Sequence, residues 1–230
     1  MVCEKLNISY TLEDSLAKYR VAFLSLNKTC KYYKGEYITL SGDMTNSVYF
    51  LLKGIVRIST VNINGYERII GFHKKNTLFA MDAICFNHKA VVNTQCVSEV
   101  MAVKVNEDDM KKLCLKYPGL AYDLVQYYGM VLRLMCFDAE INSIQDVKKR
   151  LITWLCLYYE NSDVNNTILK ATQAELASII NASRVQTARI LNELKKDKLI
   201  ELKRGYLIIK NYNNLKKQSL KWICLFNKWE

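Results

Sequence analysis

The run from Thr172 to Lys195 constrains this chain most, because two helix starts follow each other so closely that only a tight turn fits between them. Thr172 stands three residues before Glu175, the spacing of a capping box, and Leu176, Ala177 and Ile180 then form one apolar stripe. Asn181 ends that helix, since Asn tolerates the left-handed backbone that a short turn needs. Ser183 is a second N-cap, and the helix it opens buries Thr187, Ile190, Leu191 and Leu194. Its other side shows Arg184, Val185, Ala188, Arg189 and Asn192. That face suits a DNA major groove, where arginine pairs with guanine O6 and N7 and small residues permit close approach. A helical hairpin inside a core is the plain alternative for the pattern taken alone.

The segment that follows favours DNA. Leu199 to Leu202 and Tyr206 to Ile209 flank Lys203-Arg204-Gly205, which reads as a β-hairpin with a basic tip. Such a wing places Lys203 and Arg204 for phosphate contacts, which contribute affinity and register but little sequence information. The formal net charge is +11, and basic residues outnumber acidic ones two to one over 146–230 but are nearly balanced before that. The C-terminal third is therefore the polyanion-facing part, although charge alone does not separate DNA from RNA or anionic lipid. The tail, 213–230, holds enough apolar residues for one extra helix docked on the winged domain.

At 230 residues the chain has room for two domains. Residues 10–26 read as a short amphipathic helix. From Lys31 to Asn106 short runs alternate: 37–40, 48–52, 55–61, 66–72, 89–95 and 97–105, separated by turn signals at Gly35, Ser41-Gly42-Asp43, Lys53-Gly54 and Asn64-Gly65. Many short antiparallel strands imply a roll or jelly-roll barrel. Glu107 to Lys116 reads as a helix, and Pro118 opens a long one. Along it Leu120, Leu124, Tyr127, Val131, Leu134, Asp138 and Ile141 alternate spacings of four and three, a coiled-coil seam with one charged interruption. Tyr128, Leu132, Met135 and Cys136 make a second apolar face. With two faces to bury, the expectation is that the second packs on the roll and the seam, residues 120–141, pairs in parallel with a second copy across a two-fold axis. Another helix spans 146–159, a polar loop 161–166, and the hinge falls near 142–146.

No apolar run is long enough to span a bilayer and no secretory leader is visible, so a cytoplasmic protein without membrane contact is expected. Eight cysteines (Cys3, Cys30, Cys85, Cys96, Cys114, Cys136, Cys156 and Cys224) include no Cys-x-x-Cys, which argues against a zinc site or a disulfide framework. Two histidines, no metal-ligand spacing, no Gly-rich phosphate loop and no nucleophile elbow leave no catalytic constellation. The expectation is a non-enzyme with no cofactor and no metal.

Two stretches carry a family resemblance. One runs Lys34-Gly35-Glu36-Tyr37-Ile38 through Ser41-Gly42-Asp43, then Tyr49-Phe50-Leu51-Leu52-Lys53-Gly54-Ile55-Val56-Arg57-Ile58. The other joins Thr172-Gln173-Ala174-Glu175-Leu176-Ala177 to Ala182-Ser183-Arg184 and Arg189-Ile190-Leu191-Asn192-Glu193-Leu194-Lys195. In this order, with the long helix between them, the whole chain resembles the Crp/Fnr family of bacterial transcription regulators. The resemblance implies that Arg184 and Arg189 read bases, while Val185 replaces a glutamate that could accept from cytosine N4. Valine offers only apolar contact, for instance to a thymine methyl, so the half-site is expected to differ from the commonest family sites. Ser183 and Gln186 are expected to touch phosphates.

The sensory half departs further. Cyclic-nucleotide-binding members carry Phe-Gly-Glu and a nearby arginine; here the stretch is Phe79-Ala80-Met81, and the arginine position falls at His88 or Lys89. Binding of a cyclic nucleotide by the usual contacts is not expected. Cys3 and Cys30 lack the close spacing of an iron–sulfur site, and His73 and His88 are the only candidates for a haem ligand, with a structural role the better reading of each. Cys85, Cys96 and Cys136 are candidate sensor thiols without a sign of lowered pKa.

The expected fold is α+β: an N-terminal antiparallel β-roll of cyclic-nucleotide-binding type over 1–117, a dimerisation helix and hinge over 118–145, and a winged helix-turn-helix over 146–230. The expected function is a homodimeric regulator reading a palindromic DNA operator, with RNA polymerase a further candidate partner. Its expected control is an unknown small-molecule effector lying between the roll and the second helix face, near Phe79, Met81, His88, Tyr128 and Met135. Its rivals are a constitutive DNA binder and a ligand-binding or protein-interaction module whose winged helix no longer reads DNA.

Overall fold

The computed structural model describes residues 11–61, 65–80, 82, 88–161 and 168–219. The chain forms two compact units that divide inside the long helix, between Leu132 and Arg133. The first begins with β1 (Thr11–Leu12), a 3-10 turn at Ala17–Tyr19 and α1 (Arg20–Leu24). The helix expected over residues 10–26 is thus replaced by a short strand, the 3-10 turn and one helical turn. Next come β2 (Thr29–Tyr32), β3 (Tyr37–Thr39), β4 (Ser47–Lys53), β5 (Val56–Val61), β6 (Glu67–His73), β7 (Leu78–Phe79), β8 (Asn93–Cys96) and β9 (Val100–Asn106). They build a five-stranded sheet, β1-β6-β5-β8-β3, and a four-stranded sheet, β2-β9-β4-β7. Every pairing is antiparallel except that of β1 with β6.

Strand β4 explains the layering. Val48, Phe50 and Leu52 point into one core with Leu16, Phe23, Leu113, Leu120 and Tyr127, whereas Tyr49 and Leu51 join a second core with Val56, Phe79 and Cys96. The strand is buried on both faces, which is why it reads as a continuous apolar run rather than an alternating one. The four-stranded sheet therefore lies between the helices and the other sheet, two layers of strands closed by one of helices. Gly54 turns β4 into β5 with φ +100°, and a Cβ there would sit 2.2 Å from the Glu99 carbonyl oxygen, so only glycine fits.

Asn106 caps α2 (Glu107–Lys116) in a reciprocal box with Asp109, and α3 (Pro118–Ser143) starts on the chain's single proline. The faces of α3 depart from the expectation in part: Tyr128 packs on the roll's core as expected, but Leu132 and Cys136 of the same face are exposed and much of the expected seam is buried. Leu120, Leu124 and Tyr127 are buried in the roll's own core, and Leu134, Asp138 and Ile141 are buried as well. Asn142 donates from Nδ2 to Asp138 Oδ1 at 3.2 Å, so Asp138 is not part of an open seam. The exposed apolar positions are Tyr122, Val125 and Leu132, at 67%, 68% and 65% of full exposure, with Gly129 open between the last two. Tyr127 selects the inward face. Its hydroxyl donates to the Leu78 carbonyl at 2.6 Å and lies 3.2 Å from His73 Nδ1, a polar tip that needs buried partners on the roll.

The second unit contains α4 (Val147–Asn161), β10 (Ile168–Leu169), α5 (Gln173–Ile179), α6 (Arg184–Lys196), β11 (Ile200–Lys203), β12 (Tyr206–Ile209) and α7 (Tyr212–Gln218). The wing sheet is ordered β10-β12-β11, so β10 adds a third strand to the expected hairpin. Helix α7 docks on α4: Tyr212 stacks on Tyr159 with centroids 4.3 Å apart, and Lys216 Nζ lies 2.7 Å from Glu160. The expected tail helix is present to that extent, and its part from residue 220 on lies outside the described residues, as does the polar loop expected over 161–166 apart from Asn161, which ends α4.

Candidate nucleic-acid interface and sensor roll

Local chemistry sets the reading helix. Thr172 Oγ1 accepts from the Glu175 amide at 3.1 Å while Glu175 Oε2 accepts from the Thr172 amide at 2.8 Å, so α5 opens on a closed capping box. It ends at Asn181, whose φ of +50° is the left-handed conformation its side chain tolerates. Ser183 then caps α6: its Oγ accepts from the Gln186 amide at 3.2 Å, and Gln186 Oε1 accepts from the Ser183 amide at 3.3 Å. Ser183 and Gln186 thus hold each other and fix where the helix begins. The Ser-x-x-Gln spacing was the available signal for that box.

Arg150 is a residue that sequence reasoning missed. Largely buried on α4, it donates from Nη1 to the Ile144 carbonyl at 2.9 Å and from Nη2 to the Asn181 carbonyl at 3.1 Å, satisfying the turn between α5 and α6. A lone arginine within the otherwise apolar face of α4 was its one trace in the sequence.

On α6, Thr187, Ile190, Leu191 and Leu194 are buried while Arg184, Val185, Arg189 and Asn192 face outward. Val185 is 80% exposed on the same face. At the wing, Arg204 and Gly205 make a two-residue turn closed by the Lys203 and Tyr206 pair, with Gly205 at φ +82°. Arg204 is exposed at the tip. Lys203 Nζ lies 2.7 Å from Glu201 Oε1, and Lys210 Nζ lies 2.9 Å from its other oxygen. These two ammonium groups hold the Glu201 carboxyl down at about 2. Lys203 is thus already paired with Glu201, which makes Arg204 the freer contact.

Of the five expected effector residues, Phe79 and Tyr128 lie on opposite faces of the four-stranded sheet. Phe79 is fully buried between the sheets, stacked on Tyr49 at 5.4 Å, whereas Tyr128 packs against the core on the helix side of the same sheet. His88 is exposed, Met135 falls in the other compact unit, and Met81 lies outside the described residues. The separation follows from the two-sided burial of the four-stranded sheet. Ala80, which stands where the resemblance has glycine, holds φ +55°, a left-handed conformation that glycine adopts most easily.

His73 is buried and hydrogen-bonded to Tyr127, and burial pushes its pKa down to about 4. Since the Tyr127 proton goes to Leu78, the imidazole donates through Nδ1 and is neutral, a structural arrangement rather than an open ligand position. Burial pushes the Cys96 thiol up to about 11, which disfavours the reactive thiolate; Cys136 is exposed, and Cys85 lies outside the described residues. Among the described residues no cluster of His, Cys, Asp or Glu is arranged to hold a metal, and no helix is long and apolar enough to cross a membrane.

A capped reading helix beside a basic wing, carried with a roll of two sheets and a long helix, defines a winged helix-turn-helix DNA-binding protein with an N-terminal β-roll. The comparisons agree in both halves. Residues 29–117 match the family described as Cyclic nucleotide-binding domain, and residues 149–218 match the Crp-like helix-turn-helix domain. The Global nitrogen regulator of Synechococcus elongatus is 24% identical over 190 residues, spanning 79% of this chain and 85% of the relative. The HTH-type transcriptional regulator ArcR of Staphylococcus haemolyticus is 25% identical, spanning 78% and 82%. A solved CooA mutant from Carboxydothermus hydrogenoformans shares the fold with a TM-score of 0.72 at 18% identity, covering 83% of this chain and 87% of that one. The chain belongs to the Crp/Fnr family, whose members are DNA-binding transcription regulators.

Proposed function

We propose that the protein is a homodimeric regulator in which two copies of α6 read the halves of a palindromic operator, under the control of a small molecule that is not a cyclic nucleotide. The outward face of α6 carries the DNA part of this reading. Arg184 and Arg189 stand exposed on either side of Val185 and Ala188, a pattern suited to guanine contacts flanking a close apolar approach. Ser183, Gln186, Lys203 and Arg204 supply phosphate contacts around them. The experiment is salt-dependent binding of the whole chain to the DNA upstream of its own gene and to a scrambled duplex. Arg184→Ala and Arg189→Ala are expected to cut the preference between the two by about tenfold or more each. Unchanged preference in both would remove α6 as the reader.

Dimerisation is supported by the stripe at Tyr122, Val125, Gly129 and Leu132, continued at Cys136. It alternates spacings of three and four along one face of α3. Three large apolar side chains in a row on that face ask for cover, and a parallel second copy supplies the matching stripe. Residues 120–141 thus remain the dimerising segment, with the register moved to the outward face.

The effector reading rests on the roll. Met81 and His88 or Lys89 stand where the resemblance calls for glutamate and arginine, so these positions offer a ribose hydroxyl no carboxylate and a phosphate no guanidinium. Equal operator affinity with and without every candidate metabolite would make the protein a constitutive binder.

A further inference from the structure

Arg189 is the outward arginine in the middle of α6, on a long side chain that solvent leaves free to wander. One turn on, Glu193 places Oε1 3.9 Å from Arg189 Nε, while its Oε2 lies 3.2 Å from Lys148 Nζ on the first turn of α4. The start of α4 is itself fixed, because Asp146 Oδ1 accepts from the Lys148 amide at 2.8 Å and the Lys149 amide at 3.2 Å. A cleft of about 210 Å³ lies alongside, lined by Asp146, Val147, Lys148, Gln186, Arg189 and Glu193, and its other wall is Ile190. Two carboxylates thus border the space that Arg189 can explore. One oxygen of Asp146 already serves two backbone amides, whereas Glu193 shares its charge between Lys148 and Arg189.

We infer that Glu193 is a positioning residue for DNA reading, tethered by Lys148 and orienting Arg189 through Nε so that the two terminal guanidinium nitrogens point at a base. The inference rests on the reading of Arg189 as a base contact. The chemistry follows from the shape of the group. Guanidinium is a flat fork, and a partner on the Nε edge leaves the Nη1 and Nη2 pair free to donate in parallel to guanine O6 and N7. At 3.9 Å the contact is an ion pair without a hydrogen bond, so it biases the rotamer without locking it. What Glu193 contributes is part of the ordering cost that Arg189 would otherwise meet on binding. Its own negative charge works against general attraction to DNA, so orientation and bulk affinity respond in opposite directions when it is removed.

The test uses full-length wild type, Glu193→Gln, Lys148→Met, Arg189→Ala and the Arg189→Ala/Glu193→Gln double variant. The probes are the duplex that wild type selects from a random pool, that duplex with each position changed in turn, and a scrambled duplex. Glu193→Gln is expected to lower the guanine preference at the Arg189-dependent position by about two- to fivefold. Preferences that depend on Arg184 are expected to hold, and binding to the scrambled duplex to hold or rise; a folding defect would lower them all together. Lys148→Met is expected to give the same selective loss without changing the salt dependence, and the second substitution is expected to add nothing to Arg189→Ala. If Arg189→Ala relaxes the preference but Glu193→Gln does not, the positioning role is overturned and the base contact stands. If Arg189→Ala relaxes nothing, the base contact itself fails. A fall of about one in the salt slope with Lys148→Met would overturn the tether and make Lys148 a phosphate contact.

Discussion

Acidification is expected to loosen the roll through His73. The imidazole is neutral and buried in the fold, with a pKa near 4 against an ordinary 6.5 when the chain is unfolded. A proton therefore binds the unfolded chain first. The stability that neutral His73 supports is fully present above pH 6.5 and is lost as pH falls toward 4. The whole difference is about 3 kcal/mol, of which about 2 kcal/mol is lost between pH 7 and pH 5. The assay is urea unfolding of the full chain with hydrogen exchange read at β6 and β7, comparing wild type with His73→Gln across that range. Carboxylates common to both proteins cancel in the comparison. Wild type is expected to lose about 2 kcal/mol more than the variant at β6. In a His88→Gln background the one remaining imidazole resonance is expected to stay neutral to near pH 5. Equal pH slopes in the two proteins, or a resonance that titrates near 6.5, would refute the neutral, donating imidazole and the lock it makes with Tyr127.

Other substitutions probe other links. Gly54→Ala drives a Cβ into the Glu99 carbonyl at a positive φ, and is expected to cost about 2–4 kcal/mol in thermal unfolding of the roll. An unchanged melting temperature would contradict the close approach. Ser183→Ala opens the capping box of α6 and is expected to cost about 1 kcal/mol, seen as faster amide exchange in its first turn. Leu132→Lys places a charge in the outward stripe of α3 and is expected to shift sedimentation from dimer to monomer. Lys substituted at the buried Leu124 would instead unfold the roll.

Where one local rule decided, the sequence could be read closely. Pro118 opens α3, Asn181 takes the left-handed turn, and Thr172 and Ser183 cap the two helices of the reader. Strands β1, β7 and β10 are two residues each and carry too little pattern to be seen before their neighbours pair with them. The faces of α3 were sorted only in part, for a different reason. Both are apolar with coiled-coil spacing, and the choice between them depends on a tertiary contact, the buried hydroxyl of Tyr127 reaching Leu78 and His73. Phe79 and Tyr128 could not be sorted from spacing either, because which face of the four-stranded sheet each one meets is set only when strand and helix pack. The Lys148 and Glu193 pair joins two helices far apart in sequence, and no spacing rule reports it.

Selection of bound duplexes from a random pool shows whether two copies of α6 read DNA together. The expected product is a palindrome whose half-sites are centred about one helical turn, roughly 34 Å, apart. Guanines are expected at the positions that Arg184→Ala and Arg189→Ala relax, with an A·T pair facing Val185. Recovery of unrelated sequences, or of a single half-site bound equally by a Leu132→Lys monomer, would contradict it.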